Sequence, residues 1–333
     1  MKFNPNARLD TSQVQDRRCG GGSGSSGGGS GSSGGGSGSS GGGFGGIPGG
    51  KGGLAVGGGG LGLIVIVVIV LFNSFSGGSG SGSSGAGNLL QGAAGNATVD
   101  NAQLQSACRS GADASSNEDC ATVAFINSVQ DYWKDAFAQS GSTYRPADTV
   151  FFSGSTRTGC GTGSSGMGPF YCPADRQVYI DLSFWDELRT TFGANDAPFT
   201  QAYVLAHEYG HHVQNLLGTS SRVGTATGAT SGSVRLELQA DCYAGVWAKH
   251  ATTVPGADGQ VLITEITKAD LANAIDTAGK IGDDYIQAKI SGRRVDPSQF
   301  SHGSSAQRQK WFRTGYQSGN PASCNTFDTS NLG

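Results

Sequence analysis

The sequence predicts an α+β domain that is joined by glycine-rich linkers to a single membrane-spanning helix. Three observations lead to this prediction. Of the 333 residues, 58 are glycine, and most of these lie within residues 20–95. Inside that region, residues 54–72 carry no charged or polar side chain. From residue 97 onward, apolar residues follow both helical and strand periodicities, which is typical of a globular domain with its own core.

The leader divides into a short head, residues 1–19, and a Gly/Ser-rich linker, residues 20–53. The linker repeats GGGSGSS and cannot bury enough apolar surface to offset its chain entropy, so it is predicted to be a flexible spacer. A second linker of this kind covers residues 73–96. The head ends in the charged run QDRR and is expected to be a solvated cytoplasmic tail, with docking on a cytoplasmic partner as the alternative.

Residues 54–72 are predicted to cross the cytoplasmic membrane once. About 20 apolar residues span a bilayer as a helix, and this stretch is just long enough, although consecutive glycines weaken its start. A buried core helix is disfavoured because both flanks are linkers, and a cleaved signal peptide because a long leader precedes the segment. Arg17, Arg18 and Lys51 all precede it, so the positive-inside rule places the N-terminus in the cytoplasm and the C-terminal domain outside.

Cysteine usage agrees with an extracytoplasmic domain. Cys19 stands alone before the membrane segment, and six cysteines follow that segment. An even number in an oxidising compartment predicts three disulfides. Pairing between sequence neighbours (108–120, 160–172 and 242–324) is the simplest of the possible connectivities. Because no CxxC spacing occurs, a zinc site made of four cysteines is disfavoured.

Periodic patterns define the main elements of the domain, residues 97–333. Apolar residues at helical spacing predict a helix over 118–139, and β-rich runs predict a strand over 149–152 and a hairpin over 168–182. A second long helix is expected from near Pro198 to just before Gly218, because proline suits the first turn of a helix and glycine its end. A third, largely buried helix is expected over 233–251.

The second long helix contains an HExxH motif, His207-Glu208-Tyr209-Gly210-His211. Residues four apart share one helical face, so both imidazoles can reach a single Zn²⁺ at about 2.0–2.1 Å. Glu208 projects beside them, where a carboxylate can take a proton from an activated water. The chain has only 5 histidines, which makes a chance match improbable, so the motif predicts a catalytic zinc site.

The third zinc ligand is expected to be a carboxylate from a later helix. A metzincin is excluded, because Gln214 and Leu217 occupy the positions of its glycine and third histidine. Glu237 and Asp241 lie one turn apart on the third helix. We expect Glu237 to bind zinc and Asp241 to hydrogen-bond a histidine, with Asp241 as the alternative ligand. These features predict a zincin-like domain, a small sheet with active-site helices.

Several runs of the chain closely resemble the bacterial family named "putative neutral zinc metallopeptidases". The head RLDTSQVQDRR (8–18), the glycine-rich spacer and the single membrane segment are also similar, so the resemblance covers nearly the whole chain. It implies a membrane-anchored bacterial zinc peptidase with a gluzincin-like site. The runs in the domain are MGPFYCPADRQVYIDLSFWDEL (167–188), AYVLAHEYGHHVQNLLG (202–218), RLELQADCYAGVWA (235–248) and SHGSSAQRQKWF (301–312).

Other residues are weaker candidates for a role in the site. His302 lies in a Gly/Ser-rich loop, from which an imidazole can donate to a developing oxyanion; a helix-capping or surface role is the alternative. His212 points about 100° away from His211 and is expected to be structural. The hairpin 168–182 is a candidate edge strand for an extended peptide, and its Tyr171 and Tyr179 are weaker candidates still.

The sequence thus predicts a membrane-anchored metallopeptidase that uses Zn²⁺ to hydrolyse peptide bonds of peptide or protein substrates outside the cytoplasm. Glu208 is expected to be the catalytic base, with His302 assisting. The alternative is a non-catalytic, zinc-stabilised binding or assembly domain, which Glu208 argues against because a structural site needs no base. Nucleic-acid binding is not expected, because the net charge of −3 leaves no broad basic surface outside the head.

Overall fold

The structure is a computed structural model that describes residues 1–18 and 99–333. The predicted linkers and membrane segment therefore lie outside the described residues. Within the two described ranges, none of the helices combines the length and the apolar character needed to cross a membrane. The same ranges contain nine α-helices and three small sheets, which confirms the α+β class.

Eight short strands form the three sheets of the described residues. The main sheet has the order β2-β3-β7-β6, in which the first three strands are parallel and β6 is antiparallel to β7. The two smaller sheets pair β1 with β8 and β4 with β5, both antiparallel. The strands are β1 (Lys2–Phe3), β2 (Val14–Asp16), β3 (Thr149–Phe152), β4 (Ser155–Thr158), β5 (Gly161–Ser164), β6 (Phe170–Cys172), β7 (Gln177–Asp181) and β8 (Ile263–Glu265).

The helices account for most of the regular secondary structure, and the three predicted long helices are present. The predicted hairpin is β6 and β7, and the predicted strand is β3. The helices are α1 (Ala102–Ala107), α2 (Gly111–Ala114), α3 (Glu118–Gln139), α4 (Phe184–Thr190), α5 (Pro198–Leu216), α6 (Gly232–His250), α7 (Lys268–Lys280), α8 (Asp283–Tyr285) and α9 (Ser305–Ser318); a π-helical turn, Ile286–Ile290, follows α8.

Helix α6 lies at the centre of the core, between α5 and α9. The crossing of α6 with α9 needs two glycines, because a Cβ at Gly315 would lie 1.9 Å from the carbonyl oxygen of Cys242 and one at Gly245 would lie 2.1 Å from that of Phe312. Large aromatic side chains such as Trp247 fill the surrounding space. Close packing on both sides fixes the position of α6, and with it the position of the carboxylates that α6 carries.

The head, residues 1–18, is part of the domain. Strand β2 pairs with β3, with Val14 opposite Thr149 and Asp16 opposite Phe151. The side chain of Val14 is only 1% exposed, so its burial stabilises the attachment by about 1.5–3 kcal/mol. The prediction of a separate, solvated tail is therefore wrong: the charged run was visible in the sequence, but the partner strand of Val14 lies more than a hundred residues further along the chain.

The two ends of the undescribed segment meet on the surface of the domain. The backbone N–H of Asp100 donates to the carbonyl of Asp16 at 2.9 Å, and the N–H of Asp16 donates to the side chain of Asn101 at 2.8 Å. The Asn101 amide in turn donates to the carbonyl of Val14 at 2.6 Å. The last described residues of the head and the first described residues after the gap therefore lie next to each other.

All six cysteines of the domain form disulfides. The bridges are Cys108–Cys120, Cys160–Cys172 and Cys242–Cys324. The predicted pairing of sequence neighbours is confirmed. The third bridge ties α6 to the C-terminal segment, close to the helix pair that forms the candidate site.

Candidate metal centre

Helix α5 carries the HExxH motif on a face that packs against α6. Pro198 lies in the first turn, where its missing N–H costs no hydrogen bond. Gly210, between the two motif histidines, lies against α6 so closely that a Cβ would be 3.0 Å from the Cα of Ala240. This close approach places the carboxylates of α6 beside the histidines.

His207, His211 and Glu237 form a cluster in which one ligand atom of each lies within 4.8 Å of the others. The Nε2 atoms of His207 and His211 lie 3.2 and 3.4 Å from the two carboxylate oxygens of Glu237. Ligands held tetrahedrally at about 2.0–2.1 Å from one zinc ion would be separated by about 3.3 Å. The donor set and its spacing therefore fit a zinc ion with three protein ligands.

Asp241 lies one turn beyond Glu237 and binds the opposite nitrogen of His207. Its Oδ1 atom is 2.8 Å from Nδ1 of His207 and accepts the hydroxyl of Tyr203 at 2.6 Å. With Nδ1 engaged in this way, Nε2 of His207 is directed towards Glu237 and is free to bind a metal. Glu237 thus occupies the ligand position, and Asp241 lies behind the histidine.

Arg308 of α9, which the sequence analysis did not single out, is buried beside Asp241. Its Nε donates to Oδ2 of Asp241 at 2.9 Å, and one of its terminal nitrogens donates to Oδ1 at 3.0 Å. Burial by itself would raise the pKa of Asp241, but the guanidinium and His207 hold it below its usual range. A permanently charged carboxylate behind His207 makes that imidazole a stronger metal ligand.

Glu208 lines the same cleft as the ligand cluster and is 8% exposed. The backbone N–H of Tyr171 in β6 lies near its carboxylate and favours the ionised form of that group. Burial raises the pKa of Glu208 to about 7. A carboxyl group with a pKa near neutrality can accept a proton and later release it, as a general base and acid must.

His302 is held at the cleft by the carboxylate of Asp283. That carboxylate accepts the backbone N–H groups of Ser301, His302 and Gly303 at 2.8, 2.7 and 2.9 Å. Nδ1 of His302 lies 3.0 Å from the hydroxyl of Ser301 and 3.2 Å from Asp283. Burial tends to lower the pKa of His302, but the bond to Asp283 outweighs it and the pKa is raised. The imidazole therefore carries positive charge more readily than a free histidine does.

The ligand cluster, Glu208 and His302 line one cleft with a volume of ≈ 610 Å³. A cleft of this size is typical of sites that take small molecules or a few residues of a peptide. The metal cluster is thus accessible from solvent, in contrast to a structural zinc site, where protein ligands close the coordination sphere.

Comparison with known proteins agrees with this geometry. The family model described as "Putative neutral zinc metallopeptidase" matches residues 37–327. The chain belongs to this family. Among its relatives are Uncharacterized protein Rv2575 of Mycobacterium tuberculosis H37Rv, 47% identical over 230 residues (68% of this chain and 77% of that protein), and Uncharacterized protein YpfJ of Escherichia coli K12, 47% identical over 225 residues (65% and 75%). No solved structure matches the chain significantly.

Other residues singled out from the sequence contact groups away from the ligand cluster. His212 is buried and lies 2.6 Å from the carbonyl of Arg145 and 3.0 Å from the hydroxyl of Tyr171. Tyr179 donates to Asp175 at 2.7 Å and is not among the residues that line the cleft. Tyr171 acts on the site through its backbone N–H, since its hydroxyl is engaged by His212.

Asp283 and Arg308 are the functional residues that the sequence analysis missed. Arg308 lies in the run 301–312 noted for its family resemblance, and Asp283 lies outside all of those runs; neither has a motif of its own. A signal was present for Arg308, because it occupies a buried position in a helix otherwise marked by Trp311 and Phe312. Its partner could be identified only after the packing of α9 on α6 was known.

Proposed function

We propose that this protein is a zinc-dependent peptidase with a zincin-like site. The observation that carries the proposal is the HExxH pair of α5 meeting Glu237 of α6 in an open cleft, with Glu208 beside them. Two histidines and a glutamate leave one coordination position for water or substrate, which is the pattern of catalytic zinc. We also propose an extracytoplasmic location, which the three disulfides support because they persist in oxidising compartments.

Each residue of the cleft can have a separate role in hydrolysis. When bound, zinc supplies a Lewis acid that polarises the scissile carbonyl and makes water a better nucleophile. Glu208 takes the proton from the attacking water and transfers it to the leaving amine. His302, held by Asp283, donates a hydrogen bond to the oxygen on which negative charge develops. Asp241 and Arg308 keep His207 oriented throughout.

The competing hypothesis of a non-catalytic binding domain is less well supported. A structural zinc site requires neither a base nor an open coordination position, and this cleft offers both. Burying the carboxyl of Glu208, whose pKa is raised to about 7, costs free energy of folding. A domain that only binds a partner has no use for such a group.

A peptide-cleavage assay with controlled metal content tests the proposal. The purified zinc-loaded protein should generate new peptide termini in a library of unstructured peptides, detected by mass spectrometry. Removal of the metal with a chelator should abolish cleavage, and stoichiometric zinc should restore it. If the zinc-loaded, folded protein cleaves no peptide in a broad library, the binding-domain hypothesis replaces the proposal.

The assistance by His302 makes a separate prediction. His302→Ala should lower kcat by about 10²–10³-fold, because one donor to the oxyanion is lost in the transition state. Zinc content and thermal stability should stay near wild type, since Asp283 still binds the backbone of the loop. His302→Gln, which keeps an N–H donor, should retain more activity than His302→Ala. Unchanged kcat in both variants would assign His302 to loop structure alone.

A further inference from the structure

Five of the apolar side chains that line the cleft form a continuous group on the side of α4, α5 and α8. They come from α4, from the loop after it, from α5 and from the segment around α8, and we call them the apolar wall: Phe184, Phe192, Val204, Ile281 and Ile286. Val204 lies three residues before His207 and four before Glu208, hence one turn along on the same helical face. The apolar wall therefore begins directly beside the reacting groups.

Hydrogen bonds hold the apolar wall in place from behind. The hydroxyl of Tyr285 donates to the carbonyl of Phe192 at 3.2 Å, which ties the loop after α4 to the segment that carries Ile286. Arg308, which also binds Asp241, donates to the carbonyl of Ile281 at 3.0 Å. Because Arg308 contacts both Asp241 and the backbone of Ile281, it holds the apolar wall in a fixed position relative to the metal centre.

The apolar wall carries no charge of its own. In the part of the chain that the structure describes, every charged residue or histidine that lines the cleft belongs to the metal cluster or to the groups that serve it: His207, Glu208, His211, Glu237, His302 and Arg308. A charged substrate side chain placed against the wall would lose its hydration without gaining a partner. A large apolar side chain placed there would leave water for an apolar surface.

Strand β6, at the edge of the main sheet and beside the cleft, offers a substrate very few main-chain donors. The carbonyl of Cys172 accepts the N–H of Arg176 within the hairpin, so the polar groups of residue 172 face β7. By strand alternation, residues 169, 171 and 173 face away from β7 and towards the cleft. Residues 169 and 173 are prolines without an N–H, and the N–H of Tyr171 lies near the carboxylate of Glu208.

This edge cannot accept a substrate as a regular added strand, because a β-ladder requires donors as well as acceptors from both chains. The hairpin was predicted as the holder of an extended peptide. On its cleft side β6 offers the N–H of Tyr171 as its one main-chain donor, next to Glu208. Prolines such as Pro169 and Pro173 disfavour strand pairing at exposed sheet edges. Main-chain pairing therefore contributes little to the choice of substrate.

We propose that the enzyme selects its substrates by one bulky apolar side chain, next to the cleaved bond, which packs against the apolar wall. This inference rests on the proposed peptidase function. The substrate class is a flexible peptide segment that presents a residue such as phenylalanine or leucine, with weak dependence on the length of chain around it.

A series of quenched fluorescent peptides tests this selectivity directly. Starting from a sequence that the enzyme cleaves, the residue on each side of the bond is changed in turn to Phe, Leu, Ala, Asp and Lys. At one of the two positions, the peptides with Phe or Leu should have a kcat/KM about 10–100-fold higher than that of the peptide with Ala. The peptides with Asp or Lys should have the lowest kcat/KM. Extending the peptide by several residues at either end should change kcat/KM by less than about threefold.

Variants of the apolar wall link the preference to these residues. Val204→Phe fills space beside the motif and should lower the Phe-to-Ala ratio of kcat/KM by about tenfold or more. Ile286→Ala widens the cleft and should move the optimum from Phe towards Trp. Ile290→Ala is the matched control, since Ile290 lies in the same π-helical turn and packs on the core but does not line the cleft; its ratio should match wild type.

The outcomes separate this inference from the proposed function. If no peptide is cleaved, the peptidase proposal itself fails. If peptides are cleaved with equal efficiency whatever side chain flanks the bond, or with a strong dependence on peptide length, the enzyme is a peptidase and the apolar selection is wrong. If Ile290→Ala changed the Phe-to-Ala ratio of kcat/KM as much as Ile286→Ala does, the assignment of this preference to the apolar wall would also be overturned.

Discussion

Replacing Glu208 with glutamine should leave zinc binding intact and lower kcat for peptide hydrolysis by about 10²–10⁴-fold. Glutamine has nearly the same shape as glutamate and can occupy the same place in the cleft, but it cannot accept a proton. The loss should appear in kcat, because the proton is transferred in the transition state and not on binding. Metal content by mass spectrometry and single-turnover kinetics measure the two quantities.

Glu265→Gln is the matched control for this substitution. Glu265 forms an exposed ion pair with Lys2 in the small sheet β1–β8, far in sequence from the motif, and surface pairs of this kind contribute little to stability. Its activity should equal that of wild type. Near-normal turnover by Glu208→Gln would contradict the mechanism. Among the described residues, the other carboxylate that lines the cleft is Glu237, which contacts both motif histidines and is the expected ligand.

The second large effect concerns the metal. Glu237→Ala should weaken zinc binding by more than Asp241→Asn does, because the first removes a ligand and the second removes only the partner of a ligand. Loss of such a partner typically costs about 10–100-fold in affinity. Competitive titration of the metal-free proteins against a zinc indicator gives both values under the same conditions.

The stability of the two variants distinguishes their roles further. Asp241→Asn leaves the guanidinium of Arg308 buried without its counter-charge, so it should lower the melting temperature even in the metal-free protein. Glu237→Ala removes a buried charge that faces the cleft, and its cost to the metal-free protein should be smaller. If Asp241→Asn weakened zinc binding more than Glu237→Ala, Asp241 would have to be the ligand.

The local features of the site could be predicted because they repeat at helical spacing. His207 and His211 lie on one face of any helix, and Glu237 is one of only two glutamates further along the chain. The hairpin, the long helices and the bridges Cys108–Cys120 and Cys160–Cys172 are also local in sequence. Each depends on residues close enough to constrain one another without knowledge of the rest of the fold.

The features that sequence analysis missed depend on contacts between distant segments. Arg308 meets Asp241 only because Gly245 and Gly315 allow α6 and α9 to cross closely, and nothing in the local pattern of α9 indicates that crossing. Asp283 holds His302 from a separate short helix. The docking of β2 on β3 joins two strands that are too short to be recognised as partners from their composition.

The pairing of β2 with β3 has a consequence for how the whole chain can be arranged at a membrane. Neighbouring strands lie about 4.8 Å apart, whereas the hydrocarbon core of a bilayer is about 30 Å thick, so no sheet can be completed through it. While Val14–Asp16 remain in the sheet, the head and the catalytic domain share one compartment. A molecule that crosses the membrane once, as the charge distribution predicts, must instead fold its catalytic domain without this edge strand.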